Sequence, residues 1–169
     1  MKVHVLTTGG TIDKVYFDAR SEFQVGPPMI REVLREANVL LEVTFEPVLA
    51  KDSLELTETD RQLVHDRVLA CGKDRVLITH GTDTMIETAR ALRGIAGKTI
   101  VLTGSLQPAR FHNTDAVFNI GCAIGAVQSL PPGVYLVMNG RVFDPARASK
   151  NRERSRFEDE PPRSPRTPS

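Results

Sequence analysis

Tryptophan is absent from this 169-residue chain, and tyrosine and cysteine occur twice each. Aromatic residues make up 5% of the total, too few to build the stacking platforms that grip single-stranded nucleic acid. Neither charge is in excess. The 22 basic and 21 acidic side chains leave a formal net charge of +1, which offers no field to a phosphate backbone. Cys71 and Cys122 fall in apolar helical patterns without partners at metal-ligand spacing. They read as reduced core thiols, and no metal site is expected. No stretch approaches the roughly 18 consecutive apolar residues of a membrane span. The chain starts directly on a strand-like run, without the basic region and apolar core of a secretory leader. These absences argue against nucleic-acid and membrane partners and make the cytoplasm the expected location.

What is present suits one sizeable globular core: 40% of the residues are apolar and 25% charged, both ordinary values. Apolar, β-branched runs near residues 3–8, 41–49, 75–79, 99–103 and 134–138 read as strands. Helical periods lie between them, marked by Met29, Ile30, Val33, Leu34 and Ala37 and then by Leu63, Val64, Val68 and Cys71. Thr57 with Asp60, and Thr84 with Glu87, have the spacing of helix N-terminal capping boxes, the second pair being the fuller match. A further helix is expected from about Asp115 to Leu130, with Val117, Ile120, Ala123, Ile124 and Val127 inward and Gly121 and Gly125 packed closely on the sheet. Strands alternating with helices predict a doubly wound α/β fold, a mostly parallel sheet with helices on both faces in a three-layer, Rossmann- or flavodoxin-like arrangement. From 149 onward the composition turns charged and Pro/Ser-rich, with Phe157 the only large apolar residue. A catalytic domain over 1–148 and a mostly disordered tail over 149–169 are therefore expected.

Two strings carry the chemistry. Val3-His4-Val5-Leu6-Thr7 leads into Thr8-Gly9-Gly10-Thr11-Ile12, and Arg75-Val76-Leu77-Ile78-Thr79 leads into His80-Gly81-Thr82-Asp83-Thr84-Met85. Loops that follow parallel strands meet at the carboxyl edge of the sheet, where such folds bind ligands. Gly9-Gly10 alone marks only a tight turn, but the threonines around it add hydroxyls. One of these can attack a carbonyl while nearby N–H groups hold the oxyanion. Asp83 and Thr82 suit a helix cap as readily as a relay that activates a hydroxyl or water. His80, a lone histidine without metal-spaced neighbours, reads as structural.

Together these strings resemble the two active-site signatures of the bacterial-type L-asparaginase (asparaginase/glutaminase) family. Leu102-Thr103-Gly104-Ser105 with Pro108, Asp115-Ala116 with Asn119, and Val137-Met138-Asn139-Gly140 followed by Lys150 match in the same order. The resemblance covers about residues 1–150, the family's N-terminal domain, and implies a short, single-domain form. It implies Thr11 as nucleophile, with Thr82, Asp83 and Lys150 as a second, hydroxyl-centred relay. It also implies Ser53, in Lys51-Asp52-Ser53, as the grip on the substrate α-carboxylate. Asp83 would meet the α-ammonium, and Gly10, Asp52 and Gly81 would line the clamp.

The family tyrosine after the first signature falls at Phe23 here, which has no hydroxyl; Tyr16 is its replacement candidate, on a lid over residues 13–26. The implied reaction converts L-asparagine to L-aspartate and ammonia without a cofactor. In longer relatives a neighbouring subunit completes each site, so a homodimer or higher homo-oligomer is expected. Two alternatives stand beside this reading: an amino-acid-binding sensor that has lost turnover, and an amidase or amidotransferase component acting on a larger amide.

Overall fold

A computed structural model describes residues 1–17 and 22–159. The ten C-terminal residues of the expected tail lie outside that range, as do residues 18–21 and the side chain of Phe23. The five expected strands are β1 (Lys2–Gly9), β4 (Glu42–Lys51), β5 (Arg75–Thr79), β6 (Thr99–Thr103) and β7 (Gly133–Met138). They form the parallel part of one sheet in the order β4-β1-β5-β6-β7, with the short β8 (Arg141–Phe143) antiparallel at its edge. The chain leaves β1, goes to β4 on one side, then crosses back to β5 on the other. That reversal at β1 makes the loops after β1, β4 and β5 diverge around a crevice, the ligand-binding position of doubly wound sheets.

Alternation along each strand explains the two cores. Leu6, Ile78, Leu102 and Met138 face α2 (Glu58–Ala70) and α3 (Met85–Ala91) in one buried cluster. Val5, Leu77, Val101 and Val137 face α1 (Ile30–Glu36) and α4 (Ala116–Ser129) in the other. Neighbouring strand residues point to opposite faces, so strands buried on both sides read as continuous apolar runs. This is the three-layer α/β arrangement predicted from the sequence.

One of the two expected capping boxes is borne out, and three other local expectations are corrected. The box at the start of α2 is complete: Thr57 Oγ1 accepts the Asp60 N–H, and Asp60 accepts the Thr57 N–H. Those hydrogen bonds from Thr57, with the Lys51 ammonium, hold the Asp60 carboxyl down at about 2. Thr84 instead makes no side-chain cap at α3; its hydroxyl donates to the Ser53 carbonyl at 2.7 Å. In α4 the buried stripe is Ala116, Asn119, Ile120, Ala123, Ile124 and Val127. Val117 is 50% exposed, and Gly121 and Gly125 lie on the outer face, where an added Cβ would meet nothing within 4 Å. The helical phase is set by Asn119, a polar residue that apolar periodicity does not count.

The chain also continues in regular structure past position 148. β9 (Ala148–Asn151) and β10 (Arg156–Asp159) pair as an antiparallel hairpin. Phe157 is buried with its ring centroid 6.2 Å from that of Phe143.

Candidate active site

The crevice begins with main chain against main chain. Gly10 donates its N–H to the Lys51 carbonyl at 2.9 Å, tying the end of β1 to the end of β4. A Cβ on Gly10 would run into the backbone of Gly81, and one on Gly81 would lie 2.6 Å from Ser53 Oγ. Gly10 has φ 88° and ψ −173°, a combination that is essentially glycine-only. The glycines therefore let three loops touch. Thr11 and Thr82 flank that contact, each one residue from it, and Ser53 packs against it, 2% exposed.

Thr82 and Asp83 are then joined by a side chain from the far end of the chain. Lys150 Nζ donates to Thr82 Oγ1 at 2.8 Å and to Asp83 Oδ1 at 2.8 Å. Arg152 lies 3.7 Å from the same carboxylate oxygen. The C-terminal hairpin reaches the crevice because it is anchored behind it. Asp115 accepts N–H bonds from Leu106 and Gln107 and a bond from the Asn119 amide. Asn119 in turn accepts the Asn139 N–H, and Asn139 Oδ1 accepts the Phe157 N–H at 2.9 Å. Phe157 supplies the apolar anchor and Asn139 the register, and Lys150, opposite Phe157 in the ladder, is delivered to Thr82.

His80 lies beneath this cluster, fully buried. The Gly81 carbonyl can only accept, so Nδ1–H donates to it at 2.7 Å and Nε2 accepts from Thr88 at 2.8 Å. Burial pulls its pKa down to about 4, so the ring is neutral and fixes the Gly81–Thr82 backbone.

Asp52 is engaged away from the crevice centre: Lys14 Nζ is 2.7 Å from Oδ2, and Oδ1 accepts the Leu54 N–H. Partial burial works to raise the Asp52 carboxyl. The hydrogen bonds from Lys14 and Leu54 and the charges of Lys14 and Lys150 outweigh it and hold the group below its ordinary value. These residues line a cleft of about 480 Å³ with Gln24, Val25, Ala50 and Glu55, beside Ser53 but without Thr11 or Thr82. Asp52 thus orders the loop that presents Ser53.

The segment after Thr11 forms a hairpin of β2 (Lys14–Phe17) and β3 (Glu22–Val25), with position 16 opposite position 23. Tyr16 is half exposed on it. The structure thus brings Gly10, Thr11, Ser53, Gly81, Thr82, Asp83 and Lys150 to one crevice and puts Tyr16 on the adjoining hairpin. Sequence reasoning missed Thr84, whose spacing is that of a cap, and Asn139, whose positive φ of 53° marks a special position. Among the described residues no helix is long and apolar enough to cross a membrane.

Comparison with known proteins extends over nearly the whole described chain. Residues 2–159 match the family described as Asparaginase, N-terminal. The chain is 32% identical to a component of the glutamyl-tRNA(Gln) amidotransferase of Aeropyrum pernix, covering 85% of this chain and 36% of that one. It is also 32% identical to the glutaminase-asparaginase of Acinetobacter glutaminasificans, covering 83% and 47%. Among solved structures, L-asparaginase I from Vibrio cholerae superposes with a TM-score of 0.82 at 28% identity, over 94% of this chain and 51% of that one. The chain spans between about a third and a half of the length of these relatives. With the two glycine-threonine strings meeting in the crevice of a fold shared with solved asparaginases, the chain belongs to the asparaginase family, in the part represented by its N-terminal domain.

Proposed function

We propose that the protein hydrolyses the side-chain amide of L-asparagine through a threonine acyl-enzyme. Thr11 Oγ attacks the amide carbonyl carbon, and backbone N–H groups of the crevice loops take the developing oxyanion. The hydroxyl proton passes to the departing nitrogen, which leaves as ammonia, and the substrate stays as an ester on Thr11. Water then attacks that ester, its proton returns to Thr11 Oγ, and aspartate is released. Tyr16 is the hairpin group assigned to proton movement beside Thr11. Thr82, with its oxygen held by Lys150, keeps a hydroxyl proton to offer, while Asp83 and Lys150 steady it. Ser53, Gly10, Gly81 and Asp83 hold the α-carboxylate and α-ammonium, with Asp52 supporting the loop. The chemistry needs only hydroxyls, a lysine and oriented amides, so no cofactor is invoked.

The observation that carries this reading is the pair of 2.8 Å bonds from Lys150 to Thr82 and Asp83. They make a buried-side relay out of residues 67 and 68 positions apart in sequence. Ammonia release from L-asparagine by purified protein, lost in both Thr11→Ala and Thr82→Ala, is the test. Absence of release from asparagine and glutamine by the wild-type chain overturns it.

A second reading, an amidase component working on a larger amide within an assembly, draws support from the 32% identity to an amidotransferase component over 85% of the chain. Failure of free aspartate to bind would favour it, whereas aspartate binding without turnover would favour a sensor. We further propose that a homodimer in the cytoplasm is the working form. A monomer in sedimentation at micromolar concentration would contradict the dimer.

A further inference from the structure

We propose that Asp13 is a positioning residue for the nucleophile, a clasp whose carboxylate and main-chain carbonyl together close the base of the β2–β3 hairpin against the turn carrying Thr11. Thr11, Ile12 and Asp13 form a single 3₁₀ turn. Its start is fixed by the Asp13 N–H donating to the Gly10 carbonyl at 3.1 Å, and its middle by the Ala109 N–H donating to the Ile12 carbonyl at 3.1 Å. From its end, Asp13 reaches forward twice. Its main-chain carbonyl accepts the Gly26 N–H at 2.8 Å, one step beyond the Lys14–Val25 pair that opens the hairpin ladder. Its Oδ1 accepts the Met29 N–H at 2.8 Å, at the residue that caps α1. One residue therefore joins the nucleophile turn, both ends of the hairpin and the first helix.

The hairpin so held lies against the crevice wall: a Cβ on Gly9 would come within 2.9 Å of Val25 Cγ1, and Lys14 pairs with Asp52.

A carboxylate is a costly choice for this task. Asp13 is 1% exposed, and its Oδ2 has no hydrogen-bond partner among the described residues. Burial, only partly offset by the Met29 N–H, pushes its pKa up to about 7. An apolar side chain would fill the same space at lower cost, and groups left uncompensated in this way tend to persist where function needs them. What the acid supplies is an acceptor in one fixed place. A shift of about 1 Å in a nucleophile is enough to lose roughly 10²-fold in rate.

The inference rests on Thr11 being the nucleophile, and its test separates the two claims. Hydrogen exchange on the full wild-type chain needs no activity. Gly26 and Met29 amides held by one clasp should open together, with protection factors within about threefold of each other, and divergence beyond tenfold overturns the clasp. In Asp13→Leu, which keeps the branched shape but loses the acceptor, both amides should exchange at least tenfold faster while strands β5 and β6 keep their protection.

Kinetics then test positioning. Asp13→Leu should lower kcat by 10- to 100-fold with KM for asparagine within about threefold, and Asp13→Asn, which retains an acceptor, should recover at least a third of the wild-type kcat. A parallel rise in KM, or no recovery with Asn, reduces Asp13 to a structural residue and overturns the proposal. Wild-type protein inert toward amides, with the two amides still opening together, would sink the functional reading and leave the clasp standing. If Asp13→Leu does not fold, the wild-type exchange comparison and the Asn variant still decide.

Discussion

The two loops that make the crevice are built on opposite principles. The loop after β5 is held by side chains: Lys150 on Thr82 and Asp83, His80 on the Gly81 carbonyl, and Thr84 on Ser53. The loop after β1 is held mostly by main chain, through Gly9 and Gly10 against β4 and the β5 loop and through the Asp13 carbonyl against Gly26, with the Asp13 carboxylate on the Met29 N–H added. The Thr11 hydroxyl makes no hydrogen bond to another described residue. A relay must keep a proton in a defined place, which side-chain hydrogen bonds do well. On the proposed mechanism the Thr11 oxygen must sit at a fixed position yet stay unengaged, and packed backbone fixes its turn without occupying it.

That contrast is open to breaking from either side. The largest effect is expected at the groups to which the proposed mechanism assigns reaction. Thr11→Ala should lower ammonia release by about 10³-fold or more, and Lys150→Met by about 10²- to 10⁴-fold, with aspartate binding by calorimetry retained in the first. Similar losses from Val25→Ala would mean that the β1 loop depends on the hairpin's bulk rather than on its backbone.

Phe157→Ala comes next. Emptying that buried site should cost about 3–5 kcal/mol in urea unfolding, and activity should fall further than the folded fraction does, because the hairpin also carries Lys150. Gly10→Ala should cost about 3 kcal/mol, combining a glycine-only conformation with overpacking against Gly81. A loss under about 1 kcal/mol would refute the main-chain account of the β1 loop.

Two buried titrating groups, one in each loop, give the contrast a pH signature. His80 falls from 6.5 to about 4 on folding, so the folded form binds fewer protons in that window and stability drops as pH falls through it. Asp13 rises from 3.8 to about 7, so the folded form binds more protons and stability drops as pH rises through 3.8 to 7. The two oppose each other between about 4 and 6.5. Asp13→Asn removes one of them. Its stability relative to wild type should therefore climb between pH 4 and pH 7.5 by an amount on the order of 4 kcal/mol at most, from about 1.4 kcal/mol per pKa unit. A flat difference across unfolding curves in that range would contradict the burial of Asp13.

The smallest effect belongs to Thr84→Val. Losing its bond to the Ser53 carbonyl should cost about 1 kcal/mol and raise KM a few-fold with kcat nearly unchanged.

The parallel strands were legible because strands buried on both faces are simply apolar runs, and their order of appearance implied the crossovers. The residues that line the crevice were legible where they sit in contiguous strings, Thr8–Ile12 and His80–Met85. Elsewhere local patterns misled. Thr84 has the spacing of a cap, yet its hydroxyl is taken by a loop 31 residues upstream. Residues 149–159 have the composition of a solvated tail, yet one Phe is enough when a cavity beside Phe143 and the Asn139 side chain await it. Composition counts apolar residues but does not reveal a receiving site built elsewhere in the chain. Asp13 went unremarked as a site residue for the same reason: its partners, Gly26 and Met29, are ordinary main-chain amides.

The anchoring of the final hairpin has a consequence for the order of events during synthesis. All the parallel strands and four helices emerge before position 148, so a nascent chain can assemble the sheet and the crevice while Lys150 is still on its way out. On the proposed mechanism the relay closes only when Phe157 arrives and locks into place. On that mechanism a chain stalled or clipped before position 157 would carry a folded sheet with an open relay, so β10 acts as the latch that holds Lys150 in place.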